Sequence, residues 1–197
     1  MRVIAFSYGR NEGDKELSFA DNLHAMVSLG FWELKGPQGP VIEREDEMIR
    51  RKIRMISSVA SVVQLVARVQ IVAAGEPITQ LIIASHGGPD VIAIGKEDLI
   101  TPDNAFTEHS VLSLLADSFA PSATVTLLGC AVADGTLRLL QVLAQMWRVP
   151  VGGYDVAQEP GNVGTGLAMG PEGNLWRCQP SGFCRLGSSS PLVQQLP

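Results

Sequence analysis

Apolar positions along this chain fall into short unbroken runs separated by mixed or charged stretches, and the runs predict a sheet. Residues 2–7, 78–85, 123–128 and 150–156 each read as a β-strand, rich in β-branched side chains and bounded by Gly, Ser or Pro. The run 78–85 lacks the polar alternation of a half-exposed strand, which predicts cover on both faces. After Gly87, Gly88 and Pro89, residues 91–95 predict a short β return. Residues 42–74 contain no Gly or Pro and end at Gly75 and Pro77. There Met48, Ile49, Ile53, Ile56, Val59, Val63 and Val66 follow the helical period, predicting one long helix that leaves the surface and runs under the sheet. Further helices are predicted over 18–29, 107–119 and 134–147, the last with Asp134 as its N-cap. The run 36–40 is a loop. Residues 166–170 and 174–178 flank Pro171-Glu172-Gly173, a turn signal that predicts a C-terminal β-hairpin. From Ser181 on, Gly, Ser, Pro and Gln dominate, so 181–197 is expected to be a loosely ordered tail behind a single domain over 1–180. Alternating strands and helices without an internal repeat predict an α/β fold, with a mostly parallel sheet and helices on both faces.

Composition narrows the class. A chain of 197 residues with 46% apolar and 18% charged side chains buries a substantial core. A net charge of −5 argues against a nucleic-acid or anionic-membrane partner. The charged cluster Arg44, Arg50, Arg51, Lys52 and Arg54 is interleaved with Glu43, Glu45, Asp46 and Glu47, which suits a solvated helix face rather than a polyanion site. The first residues read as a strand rather than a secretory leader, and the longest apolar stretch, 59–74, is broken by Ser61, Gln64, Arg68 and Gln70, so neither export nor a membrane span is expected. The cytoplasm is the resulting expectation. Three cysteines, at positions 130, 178 and 184, suggest no disulfide framework. His24 and His109 lack partners at metal-ligand spacing, so no metal and no cofactor are expected.

The chemistry concentrates at two strand ends. Ile82-Ile83-Ala84-Ser85-His86-Gly87-Gly88 and Thr124-Val125-Thr126-Leu127-Leu128-Gly129-Cys130 each run from apolar residues into a reactive group beside small ones. In an open α/β sheet, catalytic groups gather beyond the carboxyl ends of the strands, so His86 and Cys130 would meet there if the two strands are neighbours. A Cys beside a His is the minimum for thiol nucleophilic catalysis. Glycines let a backbone approach a substrate closely and offer N–H groups to an oxyanion. The helix expected from Asp134 would lower the thiol pKa of Cys130 in the preceding turn. His-Gly-Gly is also the oxyanion loop of some esterases, but the chain has no Gly-x-Ser-x-Gly elbow to go with it.

These motifs resemble the caspase-like clan of cysteine peptidases, which includes caspases, legumain, gingipains, clostripain and separase. The shared pattern is an apolar strand ending in His-Gly, then a second ending in a small residue and Cys; the resemblance covers residues 79–154. Gly129-Cys130-Ala131-Val132-Ala133 is most similar to bacterial caspase-like domains of large secreted or surface proteins. The resemblance implies a caspase-hemoglobinase-like three-layer sandwich. It implies a cysteine endopeptidase acting on protein or peptide through a Cys-His dyad and a thioester. Here Cys130 is the nucleophile, His86 the general acid, and the N–H groups of Gly87 and Cys130 the oxyanion hole. Substrate contacts would come from Ser85 and from the strand after the nucleophile's helix, where Gly153 and Asp155 stand. An acidic Asp155 predicts a preference for Arg or Lys before the scissile bond, with Arg50-Arg51-Lys52, Arg177 and Arg185 as candidate self-processing sites. The chain lacks the Gln-Ala-Cys-Arg-Gly signature of caspases, so aspartate specificity has no support. The alternative function is a catalytically inactive caspase-like protein-interaction module.

Overall fold

In the computed structural model, residues 1–7, 53–56, 59–95, 98–156 and 173–187 are described. Their strands are β1 (Arg2–Ser7), β2 (Ile53–Ile56), β3 (Ile78–Ser85), β4 (Gly87–Gly88), β5 (Val91–Ile94), β6 (Asp98–Ile100), β7 (Phe119–Leu128), β8 (Val151–Tyr154), β9 (Leu175–Cys178) and β10 (Cys184–Leu186). The helices are α1 (Val62–Ala73), a 3₁₀ helix (Ser110–Ser118) and α2 (Arg138–Trp147). A seven-stranded sheet has the order β10-β9-β8-β7-β3-β1-β2, and β4-β5-β6 form a small second sheet. From β2 to β8 every neighbouring pair is parallel, while β8-β9 and β9-β10 are antiparallel. The protein is therefore α/β with a mostly parallel central sheet.

One face of that sheet carries the core. Val3, Ala5, Leu81, Ile83, Val125, Leu127 and Val151 pack with Leu65, Val66 and Val69 of α1, Leu112 and Leu115 of the 3₁₀ helix, and Leu139, Leu140 and Leu143 of α2. Each fully buried Val, Leu or Ile among them contributes about 1.5–3 kcal/mol of transfer free energy. Trp147 closes the layer and donates its Nε1–H to the Leu112 carbonyl at 2.8 Å, so its one polar atom is satisfied inside the core. On the other face Ile4, Ile82, Leu128 and Tyr154 are buried too, so β3 is covered on both sides as its unbroken apolar run predicts. Among the described residues all three helices lie on the first face, so a second helical layer is not among the described elements.

Several expected boundaries move. The single helix over 42–74 is replaced, in its described part, by strand β2 and the shorter α1. Ser61 marks the true start of the helix: its hydroxyl accepts the Gln64 N–H at 3.2 Å, Gln64 Oε1 accepts the Ala60 N–H at 2.6 Å, and Asp98 accepts the Val62 N–H at 2.7 Å. That capping arrangement starts a helix at Val62, while Ile53–Ile56 finds backbone partners along β1. The helix expected over 107–119 is the 3₁₀ helix, and the third strand begins at Phe119, ahead of the expected 123. The hairpin expected from 166–170 and 174–178 is formed instead by β9 with β10, so ordered strand extends to Leu186, inside the expected tail. The expected arm 166–170 lies outside the described residues, as do the helix over 18–29, the loop 36–40, His24 and the cluster Arg44 to Lys52.

The small sheet is locked onto the carboxyl edge of β1 and β3 by two serines. Ser7 and Ser85 are register partners. The Ser7 hydroxyl donates to Val59 O at 2.9 Å and accepts the Gly95 N–H at 2.5 Å. The Ser85 hydroxyl shares its one proton between the carbonyls of Ser7 and Ala93. In open α/β sheets the crevice where strand order reverses usually takes a ligand. Here, between β1 and β3, it is filled by the protein's own β5.

Candidate active site

The parallel pairing of β3 with β7 brings the two motifs together. Their last register pair is Ala84 with Leu128, so His86 and Cys130 each stand two residues beyond it, on neighbouring strands leaving the same edge. The glycines beside them touch. A Cβ built on Gly129 would lie 3.2 Å from Gly87 Cα and 3.4 Å from Gly87 N, and Cβ atoms on either glycine would meet Val132 Cγ2 at 2.7 Å. Only two residues without side chains allow the His86 and Cys130 turns to approach this closely. His86 is exposed and Cys130 is half-buried, so neither is sealed in the core. The chain then turns sharply: Ala131 has φ +49°, a conformation that costs an alanine about 1–2 kcal/mol. The turn is held by Ala131 N–H on Val156 O, Ala133 N–H on Tyr154 O and Asp134 N–H on Ala131 O, each 2.9 Å.

The close approach is testable by stability. Gly129→Ala or Gly87→Ala is expected to cost about 1–3 kcal/mol, because the new methyl overlaps Val132. Adding Val132→Ala removes the overlapping atom, so the double variant should lose less than the sum of its parts in urea titrations. Strict additivity would mean that the glycines do not pack as described.

Asp90 ties the His86 loop to the helix after Cys130. Its Oδ2 accepts from Thr136 N–H at 2.8 Å and Thr136 Oγ–H at 2.6 Å, and its Oδ1 accepts from Leu139 N–H at 3.2 Å. The expected N-cap, Asp134, does not cap. The helix begins at Arg138 behind Leu137, whose φ of +61° and apolar side chain offer no cap, so Asp90 supplies it from another loop. The helix N-terminus is therefore occupied by a carboxylate and is not available to activate Cys130 as the sequence suggested. Burial alone would raise the Asp90 pKa, but the hydrogen bonds from Thr136, Leu139 and Arg138 outweigh it, so its carboxyl ionises below the ordinary value. A depressed folded-state pKa contributes stability above the unfolded value, near 3.8, and loses it as pH falls through the folded value. Asp90→Asn should thus cost about 1 kcal/mol at neutral pH, with the difference from wild type shrinking below pH 3.8 in acid melts. A difference that does not change with pH would show that the charge is not what caps the helix.

A family model described as "Domain of unknown function (DUF4347)" matches residues 49–164. The chain belongs to the DUF4347 family. The matched segment contains β2 to β8 and with them His86, Asp90, Cys130 and Val132, whereas β1, β9 and β10 lie outside it. No curated protein matches the chain.

Outside the two turns, the residues assigned to substrate contact in this DUF4347 chain are structural. Ser85 is buried with its hydroxyl engaged between β1 and β5, so it cannot face a ligand. Gly153 is buried, and a Cβ there would meet Leu140 Cδ2 at 3.3 Å and Val132 Cβ at 3.6 Å; it makes room for α2. Asp155 accepts from Asn174 N–H at 2.8 Å, Asn174 Nδ2 at 2.9 Å and Trp176 Nε1 at 3.3 Å. Burial opposes its ionisation, but those bonds from Asn174 and Trp176 prevail and its pKa is lowered. Its carboxylate secures the entry into β9. The sequence held no signal for this, because Asn174 and Trp176 reach Asp155 only once β9 has paired with β8.

The cysteines also depart from expectation. Cys178 and Cys184 are register partners across β9 and β10 and form a disulfide. Antiparallel pairing put two side chains opposite each other that spacing alone did not suggest. Cys130 is then the one cysteine of three outside a disulfide. His109 is buried, with Nε2 bonded to Leu99 O at 3.1 Å, a structural role. No group of three or more His, Cys, Asp or Glu that could hold a metal occurs among the described residues. No helix among them is long and apolar enough to cross a membrane.

Proposed function

We propose that this chain is a caspase-like cysteine peptidase, with the caspase-hemoglobinase sandwich as its fold and a protein or peptide as its substrate. The observation that carries the reading is the backbone contact between Gly87 and Gly129, which sets the His86 and Cys130 turns side by side on neighbouring parallel strands. Cys130 Sγ attacks the scissile carbonyl carbon as His86 takes the thiol proton. The N–H groups of Gly87 and Cys130 stabilise the oxyanion. Collapse of the tetrahedral adduct breaks the C–N bond, and His86 returns the proton to the leaving amine. Water, deprotonated by His86, then opens the thioester, releasing a carboxylic acid product and restoring the thiol. Asp155 takes no part, so the preference for Arg or Lys that rested on it is withdrawn. The Cys178–Cys184 disulfide supports an oxidising compartment rather than the cytoplasm, in keeping with the secreted and surface proteins that carry similar motifs.

The test is site-selective alkylation without reductant. A thiol-reactive probe should label wild type at Cys130 and leave Cys130→Ala unlabelled, since the other two cysteines are bonded to each other. His86→Ala should slow labelling near neutral pH by about tenfold or more, because the imidazole no longer withdraws the thiol proton. Labelling of wild type no faster than that of the urea-unfolded chain would favour the inactive interaction module instead.

A further inference from the structure

The wing of the sheet formed by β8, β9 and β10 carries two arginines that no carboxylate among the described residues pairs with and that the proposed reaction does not use. Arg177 and Arg185 are direct register partners across β9 and β10. Partners in an antiparallel ladder share a face with Cβ atoms about 5 Å apart, where like charges repel. The disulfide between Cys178 and Cys184, the neighbouring register pair, holds the two strands together against that repulsion.

Arg177 is half-buried, and its Nε is sealed from solvent with no hydrogen-bond partner. A Cβ on Gly152, its partner on β8, would lie 3.8 Å from that Nε, so the missing side chain is what lets the guanidinium settle over the strand. Buried polar groups are normally paired, and buried charges most of all. Yet among the described residues no carboxylate pairs with Arg177. The nearest acidic side chain in sequence on this wing, Asp155, is committed to Asn174 and Trp176. Burial and the charge of Arg185 both push the Arg177 pKa down, opposed by Tyr154, whose own phenol is pushed up by burial. Tyr154 therefore stays protonated, with a hydroxyl able to donate beside the guanidinium.

We propose that Arg177 and Arg185, with the Tyr154 hydroxyl beside them, form a binding site for a carboxylate side chain of an acidic peptide segment. The terminal edge of a guanidinium, formed by its two Nη groups, presents two parallel N–H bonds whose spacing matches the two oxygens of a carboxylate. A bound carboxylate would neutralise the half-buried guanidinium and offset the repulsion between the two arginines. The site lies on β8, β9 and β10, where the Tyr154 backbone adjoins the turn that carries Cys130, and it stands whether or not the chain cleaves peptides.

Calorimetric titration of the intact, oxidised protein with a blocked triglutamate peptide tests this. Wild type should bind, with affinity falling between about 0.05 and about 0.5 M salt as the Debye length shrinks from about 14 Å to about 4 Å. Arg177→Gln and Arg185→Gln should each weaken binding by about tenfold or more, the effect of losing a charged hydrogen-bond donor. Arg148→Gln, which removes an exposed cation elsewhere, should leave it unchanged. Arg185 is exposed, so its variant keeps the test valid even if Arg177→Gln fails to fold. Equal binding by all variants, or none by wild type, overturns the proposal. Inorganic phosphate binding as tightly as the peptide, with the same dependence on both arginines, overturns the assignment to a carboxylate.

Discussion

Cys130→Ala is expected to abolish peptide hydrolysis, a loss of at least about 10³-fold, while leaving the thermal melt of the domain in place. The residue is half-buried in a turn rather than part of the core, so removing its sulfur takes away the nucleophile without opening a cavity. His86→Ala should lower turnover by about 10²–10⁴-fold, the usual contribution of a positioned acid–base group, again with little effect on stability because His86 is exposed. The double variant should be no worse than Cys130→Ala alone, since the two groups act on one proton and one bond. The assay is release of peptides from an unfolded protein substrate, read beside circular dichroism of each variant. Hydrolysis that survives Cys130→Ala would end the peptidase proposal for this site.

The largest stability effect is expected at Gly95, away from the reacting groups. A Cβ there would sit 1.9 Å from Ala60 O and 2.4 Å from Ala60 C, and the backbone has φ +70°. Neither contact can relax by turning a side chain, because both atoms belong to the backbone leading into α1. The same residue gives its N–H to Ser7, so displacing it also breaks the link from β5 to β1. Gly95→Ala should therefore cost about 3–5 kcal/mol, combining left-handed strain with overpacking. That is a large part of the ordinary stability of a domain. Gly75→Ala is the matched control: φ is +81° but nothing lies within 4 Å of its Cβ, so only the backbone term remains, about 1 kcal/mol. Equal shifts of the two urea midpoints would show that Ala60 does not press on Gly95.

Proximity of His86 and Cys130 follows from the parallel pairing of β3 and β7, but its closeness rests on Gly87, Gly129 and Val132 acting together. Gly and Cys stood side by side in the sequence as a motif. Val132 did not stand out, since nothing in its local context marks it as the side chain laid across both glycines. Asp90 was equally silent. It reads as a turn residue after Pro89, and its role as the cap of α2 exists only because the His86 loop folds over the start of that helix. These are the residues by which a scaffold holds a site, and they are defined by contacts over tens of positions.

What the sequence determined by itself was the material of the central sheet and the two strand ends that carry reactive groups. β1 and β3 have the bounds their patterns predict, and β5 follows its Gly-Gly-Pro turn, because a continuous apolar run closed by small residues has few other uses. The tertiary structure decided the rest. Ile53–Ile56 reads as part of one long helix and becomes a strand because β1 offers it backbone partners. Asp155 reads as a specificity residue and becomes a brace because Asn174 and Trp176 arrive with β9. Cys178 and Cys184 read as separate thiols and become a disulfide because β9 and β10 pair in the register that sets them opposite each other. In each case a partner distant in the chain, supplied by strand pairing, decided a role that the local pattern does not contain.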